Sequence, residues 1–447
     1  MDKYIPNTPD VEKEILQEIG VTSFDELISN IPQKFRSACD VNLPPPLSEL
    51  EVVKLLKGIS SKNISSENYV SFLGGGVYDH YIPPVIDFLI ARSEFYTAYT
   101  PYQPEVSQGT LQSIYEYQSL ICGLMGMDIS NASLYDGATA TAEAIFMACN
   151  VTRRSKAVIS KLINPFYFEV LKTYLENRGV EIEVLQEKEG QTDFSELEGK
   201  IKGSACLVVQ SPNFFGVIEE LDGLKEILGS SGSLFIMIVD PISLGVLKSP
   251  GEYGTDIAVA EGQSLGIHQS FGGPFLGIIA ARKDFIRNMP GRIAGMTEDA
   301  EGKRAFTLVL QTREQHIRRE RATSNICTNQ ALMALSACIF LSLVGKKGIR
   351  KLAELCVQKS HYLSDRVSEL KGFELVYRRP FFKEFVVSTP VKAMKIVEAG
   401  LEEGFFPGVV LGDFYPEREN QLLIAVTEKR SMEELDSFVN FLKKFEK

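Results

Sequence analysis

The stretch LFIMIVDPISLG, residues 234–245, begins with a continuous apolar run and then reaches an aspartate, Asp240. A run without polar alternation is typical of a strand that is buried on both faces of a sheet. Similar short runs occur at KAVIS 156–160, ACLVVQ 205–210 and DIAVA 256–260, and helical stretches separate several of them. The pattern therefore predicts an α/β fold with a mostly parallel sheet that helices cover on both faces.

Three regions can be distinguished along the 447 residues. Residues 1–67 are predicted to form an N-terminal helical arm, in which Thr8 is the N-cap of the first helix and Gly20 ends that helix. Residues 68–330 contain the apolar strand runs and form the large domain. The chain then becomes strongly helical and afterwards alternates between strands and helices, which predicts a small C-terminal α+β domain over residues 331–447.

Composition and charge argue against several classes of protein. The formal net charge is −11, whereas binding to nucleic acid or to an anionic membrane needs clustered positive charge. No apolar run approaches the length of a membrane span, and the first residues lack the apolar segment of a secretory signal, so we expect a cytoplasmic protein. The seven cysteines are scattered and the four histidines show no HExxH spacing. We therefore expect neither a disulfide framework nor a metal site.

Two stretches could form a cofactor pocket at the carboxyl edge of the sheet. In LYDGATATAEAIFMAC, residues 134–149, Gly137, Ala138 and Thr139 stand at a turn that feeds a helix, where backbone N–H groups can bind a phosphate. Asp240 follows its strand, where an aspartate can pair with the protonated nitrogen of a pyridoxal ring. An ordinary capped helix and a turn-capping aspartate are the alternatives. Together the two stretches favour a pocket of the pyridoxal-phosphate type.

The residue that would hold such a cofactor covalently is missing from its expected place. A pyridoxal-phosphate enzyme needs a lysine amine for its Schiff base. In EGQSLGIHQSFGGPFLG, residues 261–277, Gln263 and Ser264 stand where that lysine is expected. The chain has no lysine between Lys248 and Lys283. We therefore predict no catalytic residue in this chain and only a vestigial cofactor site. The residues of that vestigial site are Gly137, Ala138, Thr139 and Asp240.

A tyrosine-rich loop, within FYTAYTPYQPEVSQ at residues 95–108, is the first candidate for an interaction surface. Tyrosine offers apolar contact area together with a hydroxyl, and such loops often form binding surfaces. A proline-stiffened loop that packs on its own domain is the alternative. The candidate residues of this surface, which we predict to face an interface or an active site, are Tyr96, Tyr99, Tyr102, Gln103 and Glu105.

The segment REQHIRRERATSNICTNQ, residues 313–330, is the second candidate. Its arginines could meet an anion or a neighbouring subunit, but a solvated helix face with internal salt bridges is the more common structure for such a run. These arginines are Arg318, Arg319 and Arg321. Ser324 and Asn325 lie in the turn that follows the run, and we predict that they are the better candidates for a site.

Taken together, these stretches resemble the alpha subunit of the two-subunit glycine decarboxylase, the P-protein of the glycine cleavage system. The resemblance extends from the N-terminus to about residue 332, and each short piece is less specific than their combination. The longest matching pieces are FLGGGVYDHYIP 72–83, FYTAYTPYQPEVSQGTLQSIYEYQ 95–118, DPISLGVLKSPGEYGTDIAV 240–259, SFGGPFLG 270–277 and RRERATSNICTNQAL 318–332.

The resemblance implies a fold-type-I, pyridoxal-phosphate-transferase-like architecture in an α2β2 assembly. It implies that pyridoxal phosphate is carried by a lysine of the partner beta subunit, so that this chain alone binds no cofactor and is inactive. The implied complex decarboxylates glycine, releases CO2 and transfers the aminomethyl group to the lipoyl group of the H-protein. On this hypothesis Tyr96, Tyr99 and Tyr102 face the beta subunit near its cofactor.

Two other functions stay open when only the residues are considered. A self-sufficient pyridoxal-phosphate aminotransferase or lyase would need its lysine elsewhere, and Lys248 is the nearest candidate, a short step after Asp240 and before the next strand. A non-catalytic binding or regulatory relative would need no catalytic partner at all. The missing lysine weighs against the first of these functions, and a neighbouring gene for a lysine-containing paralogue would exclude the second.

Overall fold

The computed structural model describes residues 8–36, 44–326 and 329–446 of the chain. The chain divides into two units, residues 1–64 and residues 65–447. The first unit contains the helical arm, and the second contains the sheet that the apolar runs predict. Two of the seven cysteines lie outside the described residues, and the five described cysteines are free thiols.

The helices of the arm are defined by their caps. They are α1 (Pro9–Ile19), α2 (Phe24–Leu27), α3 (Gln33–Arg36) and α4 (Glu49–Ser60). The side chain of Thr8 accepts a hydrogen bond from the backbone of the first turn, and Gly20 ends α1 with a φ of 85°, as predicted. Within these four described helices no residue is buried. Large apolar side chains of the arm, among them Ile15, Ile19 and Phe24, are therefore exposed.

The second unit contains one large sheet and several small ones. Its strands are β1 (Val70–Ser71), β2 (Ile129–Ser130), β3 (Lys156–Ser160), β4 (Glu181–Leu185), β5 (Glu187–Lys188), β6 (Gln191–Thr192), β7 (Cys206–Gln210), β8 (Leu234–Val239), β9 (Ile257–Glu261), β10 (Gly277–Ala281), β11 (Ile293–Glu298), β12 (Arg304–Val309), β13 (Glu374–Leu375), β14 (Glu384–Ser388), β15 (Phe405–Phe406), β16 (Val409–Val410) and β17 (Gln421–Ala425). The two-stranded sheets are β1 with β15, β5 with β6, and β11 with β12.

The large sheet has the strand order β2-β10-β9-β8-β7-β3-β4 over the described residues. The five strands from β9 to β4 in this order are parallel to their neighbours, whereas β10 is antiparallel to both β9 and β2. The sheet is therefore mostly parallel, as predicted. Asp240 directly follows β8 and Glu261 is the last residue of β9, so both acidic side chains lie at the carboxyl edge of the sheet.

Helices cover both faces of the large sheet. The helices of the second unit are α5 (Pro84–Ile90), α6 (Ser93–Tyr96), α7 (Gln108–Met125), α8 (Gly137–Thr152), α9 (Pro165–Glu176), α10 (Leu197–Lys200), α11 (Leu224–Ser231), α12 (Gln315–Arg318), α13 (Ala331–Ser368), α14 (Ala393–Glu402) and α15 (Met432–Leu442). Along β8, Phe235 and Met237 pack in the layer of α7 and α13, whereas Ile236 and Ile238 pack in the layer of α8 and α9. Because both faces are buried, the strand needs an uninterrupted apolar run.

Helix α13 lies within the second unit and joins the core of the large sheet to the core of the small C-terminal sheet. It spans 38 residues and is broken at Gly345, whose φ is 57° and ψ is −176°. Near its start Ala337 and Leu341 pack in the core of the large sheet, and near its end Leu363 and Val367 pack in the core of the small domain. Among the described residues it is the one helix long and apolar enough to cross a membrane, and 44% of its apolar window is buried in the fold. Such burial is what a core helix requires.

The small domain approaches the large one through the start of β14. Its antiparallel sheet has the order β13-β14-β17-β16 and packs against α13, α14 and α15. Gly216, which follows β7, has a φ of 82°, and a Cβ atom there would lie 2.0 Å from the carbonyl oxygen of Glu384. Only glycine permits this approach. The contact brings Lys383 and Glu384 to the carboxyl edge of the large sheet.

Replacing Asp256 should destabilise the large sheet. Its buried carboxylate lies 2.7 Å from Nζ of Lys225 and 3.0 Å from a guanidinium nitrogen of Arg282, and it accepts a hydrogen bond from the N–H of Phe235. Because charged hydrogen bonds and a buried N–H lose their partner, we expect D256A to cost about 2 kcal/mol or more. Calorimetry should show this as a fall in Tm of at least a few degrees.

The matched control is D222A. Asp222 makes one ion pair, with Lys248, and its side chain is 83% exposed. An exposed pair contributes at most about 1 kcal/mol, so the Tm of this variant should stay close to that of the unmodified chain. Equal losses of Tm in D222A and D256A would contradict the structural role of Asp256.

Candidate functional site

A small cavity lies between the carboxyl edge of the large sheet and the start of β14. Its free volume is about 40 Å³. A cavity on the order of 150 Å³ is needed to admit a ring as small as benzene, so this space suits a few water molecules. The polar side chains that line it belong to Tyr78, Asn164, Tyr167, Gln210, Asp240, Glu261, Ser264, Lys383 and Glu384.

The ammonium group of Lys383 fills the centre of this site. Its Nζ lies 2.7 Å from Oδ2 of Asp240 and 2.9 Å from Nε2 of His80, and it stands 3.4 Å from the centroid of the Tyr78 ring. The side chain of Lys383 is 1% exposed. Three N–H groups therefore meet a carboxylate, an imidazole nitrogen and an aromatic face, which together compensate the buried charge.

The contact with Lys383 also indicates the tautomer of His80. An ammonium group can only donate, so Nε2 of His80 accepts and Nδ1 carries the proton. Nδ1 lies 2.6 Å from Oε2 of Glu428, to which it donates. His80, Glu428 and Cys356 bring their ligand atoms within 4.8 Å of one another, a grouping that the sequence did not suggest. Both nitrogens of His80 are already used in hydrogen bonds, which leaves it no lone pair for a metal ion.

Asp240 is satisfied at both of its carboxylate oxygens. Oδ1 accepts a hydrogen bond from the N–H of Ile242, at 2.9 Å, while Oδ2 pairs with Lys383. Asp240 thus caps the turn after β8, which was the alternative to pairing with the ring nitrogen of a cofactor. The ion pair with Lys383 is an addition that the sequence did not indicate.

The start of α8 is occupied by two carboxylates of the chain itself. Asp136 is the N-cap and accepts from the N–H of Thr139 at 2.8 Å, so Gly137, Ala138 and Thr139 form the first turn of the helix and not the turn before it. Oε2 of Glu261 accepts from the N–H of Gly137 at 2.9 Å. The hydroxyl of Tyr167 would lie 2.1 Å from a Cβ at Gly137, so a larger residue is excluded there.

Glu261 binds three backbone N–H groups. Besides Gly137, the N–H groups of Gln263 and Leu276 each donate to Oε1 at 3.0 Å. Burial raises the pKa of Glu261 to about 8, although the bonds from Gly137, Leu276 and Gln263 act in the opposite direction and favour the carboxylate. The charge of Asp136 adds to the upward shift. Glu261 was visible in the sequence as an acidic residue, but its bonds join parts of the chain that lie far apart.

Gln263 and Ser264 have different environments. The amide of Gln263 accepts from the N–H of Tyr78 at 2.9 Å and donates to the carbonyl groups of Tyr78 and Ile267, so it joins two backbone segments. Ser264 lines the cavity, and its buried hydroxyl has no hydrogen-bond partner among the described residues. Neither side chain is an amine, so neither can form an imine.

Glu384 completes the wall of the cavity on the side of the small domain. Its carboxylate accepts from the hydroxyl of Tyr78 at 2.8 Å and from the N–H of Gly75 at 2.7 Å. Burial raises the pKa of Glu384 to about 7 and holds the pKa of Tyr78 well above its ordinary value. Sequence reasoning missed Lys383 and Glu384. The one available signal was a charged pair directly before the apolar strand FVVS.

The tyrosine-rich loop is anchored at one end and exposed at the other. The hydroxyl of Tyr102 accepts a hydrogen bond from Arg292 at 2.8 Å, and its ring lies 5.3 Å from the ring of His316. Tyr96 is 64% exposed and Tyr99 is 82% exposed. Gln103 and Glu105 are exposed as well. The structure thus brings this loop next to the segment of residues 313–330.

The basic run is solvated, which agrees with the interpretation of these arginines as an exposed face with local salt bridges. Arg318, Arg319 and Arg321 are exposed, and Arg321 lies 3.7 Å from the neighbouring carboxylate of Glu320. In the following turn Ser324 is buried and accepts from the N–H of Ile326. Asn325 is exposed and accepts from Gln315. Ser324 and Asn325 do not line the cavity at the sheet edge.

Comparison with known proteins gives matches along the whole chain. The model of the glycine cleavage system P-protein family matches residues 2–442. A probable glycine dehydrogenase (decarboxylating) subunit 1 of Chlorobium limicola is 53% identical over 98% of this chain and 99% of the relative. The protein of the same name in Desulfitobacterium hafniense is 49% identical over 98% of each chain.

Solved structures agree with these relatives. A crystal structure of glycine decarboxylase (P-protein) of the glycine cleavage system, in inhibitor-bound form, has a TM-score of 0.92 and 41% identity and covers 100% of both chains. An alanine–glyoxylate aminotransferase from Nostoc has a TM-score of 0.60 and 16% identity, over 93% of this chain and 99% of the other. This second likeness concerns the fold alone. The predicted fold-type-I pyridoxal-phosphate architecture is confirmed.

The buried carboxyl of Glu261 should make stability fall with rising pH. Its pKa of about 8 lies above the 4.5 of an ordinary glutamate, so between these values the unfolded chain releases a proton that the folded chain keeps. We expect the Tm of E261Q, relative to the unmodified chain, to rise by several degrees between pH 5 and pH 8. Each tenfold difference in proton affinity between the folded and unfolded chain corresponds to about 1.4 kcal/mol of stability.

E226Q, at an exposed position on α11, serves as the control, and its Tm should remain parallel to that of the unmodified chain over the same pH range. Parallel curves for E261Q would show that Glu261 does not hold its proton in the folded state.

Proposed function

The chain belongs to the glycine cleavage system P-protein family, and we propose that it acts as the alpha subunit, subunit 1, of a glycine decarboxylase whose cofactor lysine lies on a partner chain. The resemblance drawn from the sequence motifs is confirmed by the family match and by relatives with about the same length. The observation that carries the proposal is the absence of a lysine between Lys248 and Lys283, where Gln263 and Ser264 stand at the position expected for the Schiff-base lysine.

The proposed complex decarboxylates glycine, releases CO2 and passes the aminomethyl group to the lipoyl group of an H-protein. Pyridoxal phosphate on the partner would supply the electron sink for the decarboxylation. The name subunit 1, which the relatives carry, implies a partner subunit in a complex. We propose an α2β2 assembly, with the cytoplasm as its compartment.

The residues of this chain do not fit the cofactor. The cavity has room for a few waters only, and both polar features that would hold the cofactor, Asp240 and the start of α8, already have partners. Lys248 pairs with Asp222 on the surface and does not line the cavity. Lys383 does line it, but its amine lies at the carboxylate of Asp240, where the ring nitrogen of a cofactor would bind. These positions weigh against a self-sufficient enzyme.

The exposed part of the tyrosine-rich loop is the surface that we propose for the beta subunit. Tyr96 and Tyr99 present two large aromatic rings to solvent, with the polar side chains of Gln103 and Glu105 beside them in the chain. Tyr102 anchors the loop through its bond to Arg292. Aromatic groups on an ordered loop lose little entropy on association.

The purified chain should form no imine with pyridoxal phosphate. After incubation with the cofactor and reduction with borohydride, the intact mass should show no stoichiometric adduct. Exchange of the glycine carboxyl group with bicarbonate should appear only when a partner chain with a Schiff-base lysine is added. A stoichiometric adduct on one defined lysine, Lys383 or Lys248 in particular, would establish a self-sufficient enzyme in place of an accessory subunit.

Y99A should weaken assembly with the lysine-bearing partner. Removal of an exposed aromatic anchor from an interface typically costs about 1 kcal/mol or more, so we expect a rise in Kd of about tenfold, measured by analytical ultracentrifugation. Y174A changes an exposed tyrosine of α9 outside the loop and is the matched control. If Y99A and the double variant Y99A/Y102A both leave assembly and turnover unchanged, this loop is not the partner surface.

A further inference from the structure

The missing lysine does not by itself keep a cofactor out of this chain. A pyridoxal-phosphate-type molecule offers two further charged groups, a protonated ring nitrogen and a phosphate, which proteins bind without a covalent bond. The chain retains one feature for each group, the aspartate after β8 and the first turn of α8. Non-covalent binding would therefore remain possible if these two features were free.

Both features are bound by side chains of the same chain. Lys383 places a positively charged N–H donor 2.7 Å from Oδ2 of Asp240, which is the chemical role of a protonated pyridine nitrogen. Glu261 places a carboxyl oxygen 2.9 Å from the N–H of Gly137, where it accepts a hydrogen bond as a phosphate oxygen does at a helix start. A phosphate brought to this turn would meet the side chains of both Glu261 and Asp136.

The two contacts come from different parts of the fold. Lys383 belongs to the small domain and reaches the large sheet at the start of β14, where Gly216 lets the backbones approach. Glu261 ends β9 in the large sheet. The remaining free volume of about 40 Å³ shows how completely the two side chains and their neighbours fill the space.

We propose that Lys383 and Glu261 are internal ligands, which occupy the positions of the ring nitrogen and the phosphate and exclude pyridine phosphates from this chain. Lys383 also holds the start of β14 against the large sheet. This goes beyond the proposed function, which requires only that the Schiff-base lysine lie on another chain. The internal-ligand proposal can fail while the proposed function holds, because a chain without that lysine could still bind the cofactor non-covalently.

The test uses the full chain and pyridoxine 5′-phosphate, which has the ring nitrogen and the phosphate but no aldehyde. Binding is measured by titration calorimetry, and stability by the shift of Tm. The unmodified chain should bind the ligand too weakly for its Tm to shift. The double variant K383A/E261A should have a lower Tm without ligand, should bind the ligand at least about tenfold more tightly than the unmodified chain, and should regain Tm when the ligand is added.

K248A/E226A removes one exposed lysine and one exposed glutamate and is the matched control for the double variant. It should behave as the unmodified chain. Binding of pyridoxine 5′-phosphate by the unmodified chain, with the affinity of the double variant, would overturn the proposal. A folded double variant that binds no ligand would overturn it as well.

If the double variant does not fold, the single variant E261A tests the proposal instead. This variant keeps the ion pair between Lys383 and Asp240. The probe is then inorganic phosphate. We expect the N–H group of Gly137, once free of Glu261, to bind phosphate and raise the Tm of E261A but not that of the unmodified chain. Equal shifts of Tm for both proteins would show that Glu261 does not block this position.

Discussion

The rest of the site depends on the buried ion pair between Lys383 and Asp240. Asp240 directly follows β8, the central strand of the large sheet, and Lys383 directly precedes β14 of the small sheet. A buried ammonium group must find partners for its N–H groups, and here these partners are Asp240, His80 and the ring of Tyr78. The pair therefore fixes both the tautomer of His80 and the position of the small domain on the large sheet.

The fold could be predicted from local patterns, whereas the content of the cavity could not. Strands buried on both faces need continuous apolar runs, so residues 234–239 indicated a parallel sheet, and the absence of a lysine after β9 could be counted directly. The contact of Lys383 with Asp240 joins two domains across a long stretch of chain and leaves no periodic signal. For the same reason the three N–H groups around Glu261 became visible only in the folded chain.

On the proposal that the cofactor lies on a partner chain, these contacts solve a physical problem of the fold. An aspartate and a helix start, both placed by the sheet to meet charged groups, would remain unsatisfied in an empty site. Lys383 and Glu261 supply the opposite charge and the acceptor that these two features need. The hydroxyl of Ser264, which has no partner among the described residues, shows that the replacement is not complete.

The helical arm has a consequence for how the cell must handle this chain. The described helices of the arm contain no buried residue, and Ile19, Phe24 and Leu50 are more than half exposed. An orphan copy, made in excess over its partner, thus displays the apolar helical segments that chaperones and proteases recognise. Degradation of the surplus, rather than matched synthesis alone, would then set the ratio of the two subunits.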